Sequence, residues 1–197
     1  MSFSYPVMLE LRGRRAVVIG ALAASEGKDV ALRDAGAAVT FYANGAWRPE
    51  DLDGVFLVVA SSEDPDERDA IARAGRERGV LVNVMDDVPN CDFSAPAIVR
   101  RGELVIAVGT GGRSPAIASK IRAELEDRYG FEWAEVLCIV GEIRDEVGDA
   151  MPDLGERARR WRCALDLDEA ASLVRSGRPE ELRRRLRARM QLESSVA

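Results

Sequence analysis

The chain has 197 residues, 47% apolar and 31% charged, with 28 Lys+Arg against 34 Asp+Glu and a formal net charge of -6. That length fits one domain, or one domain with a smaller appendage, and the apolar content argues against global disorder. Histidine is absent, which excludes Ser-His-Asp and Cys-His catalysis, histidine general bases and His-ligated metal sites.

The charge is uneven. Residues 151–197 hold 11 Arg and 8 acids, so the tail is basic and the rest of the chain is strongly acidic. Lys28 and Lys120 are the only lysines. The Arg-rich tail has two readings: a face for a polyanion, or solvated helices laced by Glu–Arg pairs. Net acidity argues against general nucleic-acid binding. Cys91, Cys138 and Cys163 form neither a CxxC pair nor a disulfide framework, which points to a reducing compartment. Residues 1–15 lack a signal peptide's apolar core, and the strongly apolar run Ala16–Ala24 is too short to cross a bilayer. A cytoplasmic protein without a membrane span is expected.

In chain order, Ala16–Ile19 is a short β-branched run that ends at Gly20 and predicts a buried parallel strand. A helix over 23–35 follows, closed by Gly36. Ala38–Tyr42 and Val55–Ala60 predict two further strands, and Pro65–Arg78 a helix that stops at Gly79. Val80–Val84 is a fourth strand, ending at the acidic pair Asp86 and Asp87. This alternation calls for a doubly wound α/β sheet, with Gly20, Ala60 and Asp86 along one edge. After Pro96 the runs Ala97–Arg100 and Leu104–Val108 predict a β-hairpin around Arg101-Gly102. Residues 109–115 form a glycine-rich loop, and Ser114 and Pro115 open a helix that ends before Gly130. Helices are then predicted over 131–147, 154–163, 167–176 and 179–191, with a linker near residues 148–152.

Three places can carry chemistry. Gly20 follows the first strand, where a dinucleotide fingerprint needs glycines, yet the loop reads Gly20-Ala21-Leu22-Ala23-Ala24. It is either a plain strand-to-helix turn or a nucleotide site. Asp86, at a strand's C-terminal end beside Asp87, is either a proton-exchanging carboxylate or a turn residue. The loop 109–114, with Thr110, two glycines and Ser114, is either an anion-binding nest or a hinge.

Taken together, Tyr5-Pro-Val-Met-Leu-Glu-Leu-Arg-Gly-Arg-Arg-Ala-Val-Val-Ile-Gly20, Val82-Asn-Val-Met-Asp86, Cys91-Asp-Phe93, Pro96-Ala-Ile-Val99 and Gly111-Gly-Arg-Ser-Pro115 form an ordered set. It resembles the precorrin-2 dehydrogenase/sirohydrochlorin ferrochelatase family, the siroheme synthase N-terminal modules. The likeness runs on through Pro152-Asp-Leu154 and Leu173-Val-Arg-Ser-Gly177.

The resemblance implies a Rossmann-like dinucleotide-binding domain over 1–112, a dimerisation region over 113–150 and a C-terminal helical domain over 151–197. It implies a homodimer that oxidises precorrin-2 to sirohydrochlorin with NAD, some members also inserting ferrous iron. Asp86 matches the family's key aspartate and would act as general base. Gly20, Ala23, Ala24, Asn44 and Gly45 match cofactor contacts, and Thr110 stands at the serine position before the paired glycines. Arg100, Arg101, Arg113 and Arg122, with Thr110 and Ser114, suit a polycarboxylate tetrapyrrole. No metal ligands of the protein's own are expected; ferrous iron or another divalent metal would enter as substrate.

Two departures from the family stand out. Leu22 occupies the glycine-rich turn. Residues 43–54 also leave no room for the helix and strand usual beside the adenosine side of the cofactor, so the sheet is expected to be about one strand short. The alternatives to the dehydrogenase are therefore an NAD-independent chelatase and a non-catalytic tetrapyrrole-binding homologue.

Overall fold

The computed structural model describes residues 5–192, apart from the side chains of residues 22–25. The outermost residues of the expected domains 1–112 and 151–197 therefore lie outside the described part. The chain divides into two compact units. One comprises the chain up to Ala95 with Gly109–Pro115, the other Pro96–Val108 with the chain from Ala116 onward. The hairpin thus groups with the helices and the glycine-rich loop with the α/β unit, a division drawn by compaction and different from the expected 112/113 boundary.

The first unit alternates strand and helix: β1 (Arg15–Ile19), α1 (Leu22–Asp34), β2 (Ala38–Tyr42), β3 (Leu57–Ala60), α2 (Pro65–Glu77) and β4 (Leu81–Val84). The strands form one parallel sheet in the order β2-β1-β3-β4. Continuous burial of Leu57, Val58, Val59 and Ala60 shows why their run is apolar without alternation, as a strand covered on both faces requires. The chain leaves β1 for β2 on one side and returns to β3 on the other, so the topological switch point falls between β1 and β3.

The expected α/β sheet is present, and β2 is its edge. In place of a further helix and strand, residues 43–54 carry a single 3-10 turn, Pro49–Leu52. Its Leu52 is fully buried in the same cluster as Ile71, Val58 and Val82, so the shortened segment still closes the core. Helix α2 lies close on β4 because Gly75 has no side chain: a Cβ there would sit 2.5 Å from Val82 Cγ2.

The second unit opens with an antiparallel hairpin, β5 (Ala97–Arg101) and β6 (Leu104–Val108), which turns at Gly102 with φ +58. Helices α3 (Pro115–Arg128), α4 (Glu132–Ala150), α5 (Leu154–Ala164), α6 (Leu167–Arg175) and α7 (Pro179–Met190) follow. Val136, Ile139, Ile143 and Val147 recur at helical spacing along α4 and bury against Leu173, Leu182, Leu186 and Met190. Helix α6 begins at Asp166, whose side chain accepts from the Asp168 and Glu169 amides, and α5 begins likewise at Asp153. Among the described residues, no helix is long and apolar enough to cross a membrane.

Candidate functional site

Ile19, Ala60 and Val84 lie in register across β1, β3 and β4. Gly20, Ser61-Ser62 and Met85–Asp87 therefore leave the sheet along one edge, where open α/β sheets bind ligands. Gly20 has φ +151, a backbone that side chains disfavour, and its N–H donates to Tyr42 O at 2.9 Å. This fastens the turn after β1 to the end of β2.

The N-cap of α1 is Ala21, which offers no side-chain hydrogen bond, and no acid stands in the helix's first turn. The next helix differs. Asp64 caps α2 by accepting from the Asp66 N–H, and Asp66 and Glu67 fill its first turn. The α1 terminus therefore has no acid of its own in its first turn, whereas the α2 terminus is neutralised by its own side chains.

A cleft of about 750 Å³ lies at this edge, lined by Ala21, Asn44, Gly45, Ser61, Ser62 and the acids Glu63, Asp64, Asp66 and Glu67. Of the expected cofactor contacts, Asn44 and Gly45 line this cleft beside Ala21, the neighbour of Gly20. Ala23 and Ala24 fall in the first turn of α1, and their side chains, with that of Leu22, lie outside the described part.

Sequence reasoning passed over Glu67. Its Oε1 accepts from the Gly45 N–H at 2.7 Å and the Trp47 indole N–H at 3.0 Å, and its Oε2 from the Ser62 hydroxyl at 2.6 Å. Burial pushes this carboxyl up, but the donors from Ser62, Gly45 and Trp47 outweigh it and hold the group below its ordinary value. Glu67 stands three residues after the Asp64 cap, where a glutamate usually reaches back to the cap. Here it reaches across to the loop after β2, which no local signal announces.

The acidic pair after β4 is divided by its surroundings. Asp87 pairs with Arg68 Nε at 3.0 Å and accepts from Asn90 Nδ2 at 3.2 Å. Asp86 is exposed and in the left-handed region, with φ +61, and its carboxylate has no hydrogen bond or ion pair among the described residues. Aspartate tolerates that backbone better than most side chains.

What holds this loop is the Cys91-Asp-Phe93 segment, laid along the open edge of β4. Asp92 N donates to Val82 O at 2.7 Å, and Val82 N donates to Asp92 Oδ2 at 3.1 Å. Asn83 Nδ2 donates to Phe93 O at 2.8 Å, and the Val84 N–H reaches Cys91 Sγ at 3.2 Å. Burial pushes the Cys91 thiol up, against the opposing pull of the Val84 amide, so this cysteine is a packing group with a weak donor. Two motifs apart in sequence are one structural device: side chains and backbone of the 91–93 segment cover the edge of β4 and fix the turn that carries Asp86.

Thr110 and Ser114 come together in the glycine-rich loop. Thr110 Oγ1 accepts from the Ser114 N–H at 3.2 Å, between Gly111 and Gly112 with φ +62 and +78. Gly112 lies against Val88 of the Asp86 loop. Arg113 is exposed on this loop, and Arg100 is exposed on β5 in the other unit. Arg101 and Arg122 are otherwise engaged. Arg101 donates to Tyr129 O at 2.8 Å and lies over the Phe131 ring, and Arg122 pairs with Glu126 at 2.6 Å. The tail follows the Glu–Arg reading: Arg183 pairs with Glu142, Arg187 with Glu146, and Arg185 and Arg189 with Glu169.

A parallel sheet in the order β2-β1-β3-β4, with a cleft at its switch point, defines a Rossmann-like α/β fold. Residues 7–97 match the family model described as "Putative NAD(P)-binding", 101–128 that for the sirohaem biosynthesis protein central region, and 132–190 that for the sirohaem synthase dimerisation region. The chain belongs to the family of siroheme synthase N-terminal modules. It is 32% identical over 195 residues to siroheme synthase 1 of Pectobacterium atrosepticum, covering 89% of this chain and 40% of that protein. It is 31% identical over 198 residues to the siroheme synthase of Methylococcus capsulatus, covering 91% of this chain and 42% of that protein. The chain thus spans about two fifths of the length of these curated relatives. Among solved structures it is similar to SirC, precorrin-2 dehydrogenase, with TM-score 0.73 and 21% identity over 94% of this chain and 100% of that one.

Proposed function

We propose that this chain oxidises precorrin-2 to sirohydrochlorin with NAD. The observation that carries the reading is the placing of an uncapped α1 terminus and an unpartnered Asp86 on one sheet edge. The residues present suit the cofactor: Gly20 permits a close backbone approach, the α1 amides suit a pyrophosphate, and the cleft's acids suit ribose hydroxyls better than a further phosphate. Gly20, Ala23, Ala24, Asn44 and Gly45 would hold NAD, which supplies a hydride acceptor when bound. Glu67 keeps Gly45 and Ser62 in place for it.

The oxidation removes a hydride and a proton from the substrate, and the Asp86 carboxylate takes the proton. Its exposure and lack of partners leave both oxygens available, whereas Asp87 is occupied by Arg68 and Asn90. Arg113, with Thr110 and Ser114 on the same loop, would meet the substrate's carboxylates. The likeness of residues 132–190 to the dimerisation region supports a homodimer, as do the exposed Ile98, Ile117, Ile121 and Phe131 of that unit.

An anaerobic absorbance assay of precorrin-2, with and without NAD, tests this. NAD should accelerate sirohydrochlorin formation, and Asp86→Asn, which tolerates the same backbone, should lower kcat about 100-fold with NAD affinity retained. Turnover indifferent to NAD, or an Asp86→Asn enzyme as fast as the parent, overturns the reading. Metal-dependent spectral change without NAD would select the chelatase instead.

A further inference from the structure

Arg68 is the residue through which the cleft and the Asp86 loop are joined. It follows Glu67 in the first turn of α2, and its guanidinium makes three contacts on two different loops. Arg68 Nη1 donates to Ser62 O at 3.0 Å and to Glu63 O at 3.1 Å, both in the turn that lines the cleft. Its Nε donates to Asp87 Oδ2 at 3.0 Å, next to Asp86. Asp87 is held from a second side by Asn90, whose Nδ2 also donates to Asp69 Oδ1 on α2 at 2.7 Å.

The pair is half-buried, with Arg68 and Asp87 side chains 25% and 19% exposed, so solvent screens it less than a surface pair. The backbone it anchors is strained at the neighbouring position, where Asp86 has φ +61. Aspartate tolerates this backbone better than most side chains, and the contacts of the turn select it. Those contacts are the Asp87 N–H to Val84 O bond, the Arg68–Asp87 pair and the bonds of Cys91 to Val84 and Asp87.

We infer that Arg68 is a positioning residue that couples the cofactor cleft to Asp86, holding the β3–α2 turn by its carbonyls and the Asp86 turn by Asp87. This rests on the reading of Asp86 as the base. The planar fork is what the task requires: a lysine could serve one loop, but its single ammonium cannot present fixed donors to both.

The test compares Arg68→Met, Asp87→Ala and the double variant in the NAD-dependent assay, with hydrogen exchange of the full chain beside it. Asp87→Ala removes the carboxylate that Arg68 and Asn90 share, leaves Arg68 on the Ser62 and Glu63 carbonyls, and should lower kcat about tenfold with the NAD KM within about twofold of the parent. Arg68→Met frees both loops and should lower kcat to a similar degree while raising the NAD KM about fivefold. The double variant should lose far less than the product of the single losses, because the Arg68–Asp87 interaction is shared and Asp87→Ala adds only the loss of the Asn90 bond. Without NAD or substrate, both single variants should speed amide exchange over residues 85–91, and only Arg68→Met should do so over 61–64.

The inference is overturned if the two losses in kcat multiply, if Asp87→Ala moves the NAD KM as far as Arg68→Met does, or if exchange over 85–91 is unchanged. The exchange arm needs no turnover. A parent that fails to oxidise precorrin-2 sinks the proposed activity, while exchange still decides whether Arg68 ties the two loops.

Discussion

In the α/β unit, arginine–acid contacts run from helix α2 to the loops at the sheet's edge, Arg68 to Asp87 and Arg76 to Asp92. In the helical unit the same chemistry runs from helix to helix, Arg183 on α7 to Glu142 on α4 and Arg187 to Glu146 one turn further on. The first kind shapes a site and leaves neighbouring carboxylates such as Asp86 unpartnered. The second closes the acids and bases on each other and stitches a bundle whose packing is apolar. A basic tail is thus a poor guide to where a polyanion binds, because most of its arginines are paired with glutamates.

The contrast also holds in the cores, and it can be broken there first. Leu186 is fully buried with Ile139, Ile143 and Leu182, so Leu186→Ala should cost about 2–5 kcal/mol. Unit-resolved hydrogen exchange in urea should place that loss in the helices and spare strands β1, β3 and β4. A uniform loss would mean that the two cores are energetically one.

Gly75→Ala is the complementary case. The added methyl meets Val82 Cγ2 at 2.5 Å, and overpacking between α2 and β4 should cost about 1–3 kcal/mol. The same measurement should find the loss in the α/β unit. Unchanged stability would show that α2 can shift, and with it the footing of Glu67 and Arg68.

The smallest effect is a difference in acid sensitivity. Hydrogen bonds from Arg183, Arg187 and Arg189 hold Glu142, Glu146 and Glu169 respectively below their ordinary values. A carboxylate depressed in the folded state stabilises it fully above the ordinary glutamate value and loses that contribution as pH falls through the folded value. Thermal unfolding followed by circular dichroism should show the helical transition moving down modestly in that acidic window. Glu67 gives the α/β unit the same sign of dependence from one carboxylate. A helical transition that stays fixed while the α/β transition falls would contradict the division of roles.

Much of the architecture was legible in residue order because it depends on local signals. Apolar runs of strand length, Gly36 and Gly79 after helices, and Ser114-Pro115 each act within a few residues. The short sheet was legible as well, since residues 43–54 are too few to hold a helix and a strand.

The site was legible only in its labels. Asp86 could be singled out by its motif, but its freedom and Asp87's engagement depend on Arg68, 19 residues from Asp87. Glu67 looked like an ordinary first-turn acid, and its three donors come from two other loops. Cys91 and Asn83 gained a role only when the 91–93 segment lay against β4, the strand that carries Asn83.

The opening numbers therefore divide the same way. The missing histidine, the short 43–54 segment and the alternation of strand and helix determined the fold class and drew attention to an aspartate, because periodicity and composition act locally. Which carboxylates stand free and which arginines are already paired was decided only by tertiary structure, because hydrogen bonds join groups that the chain brings together from afar.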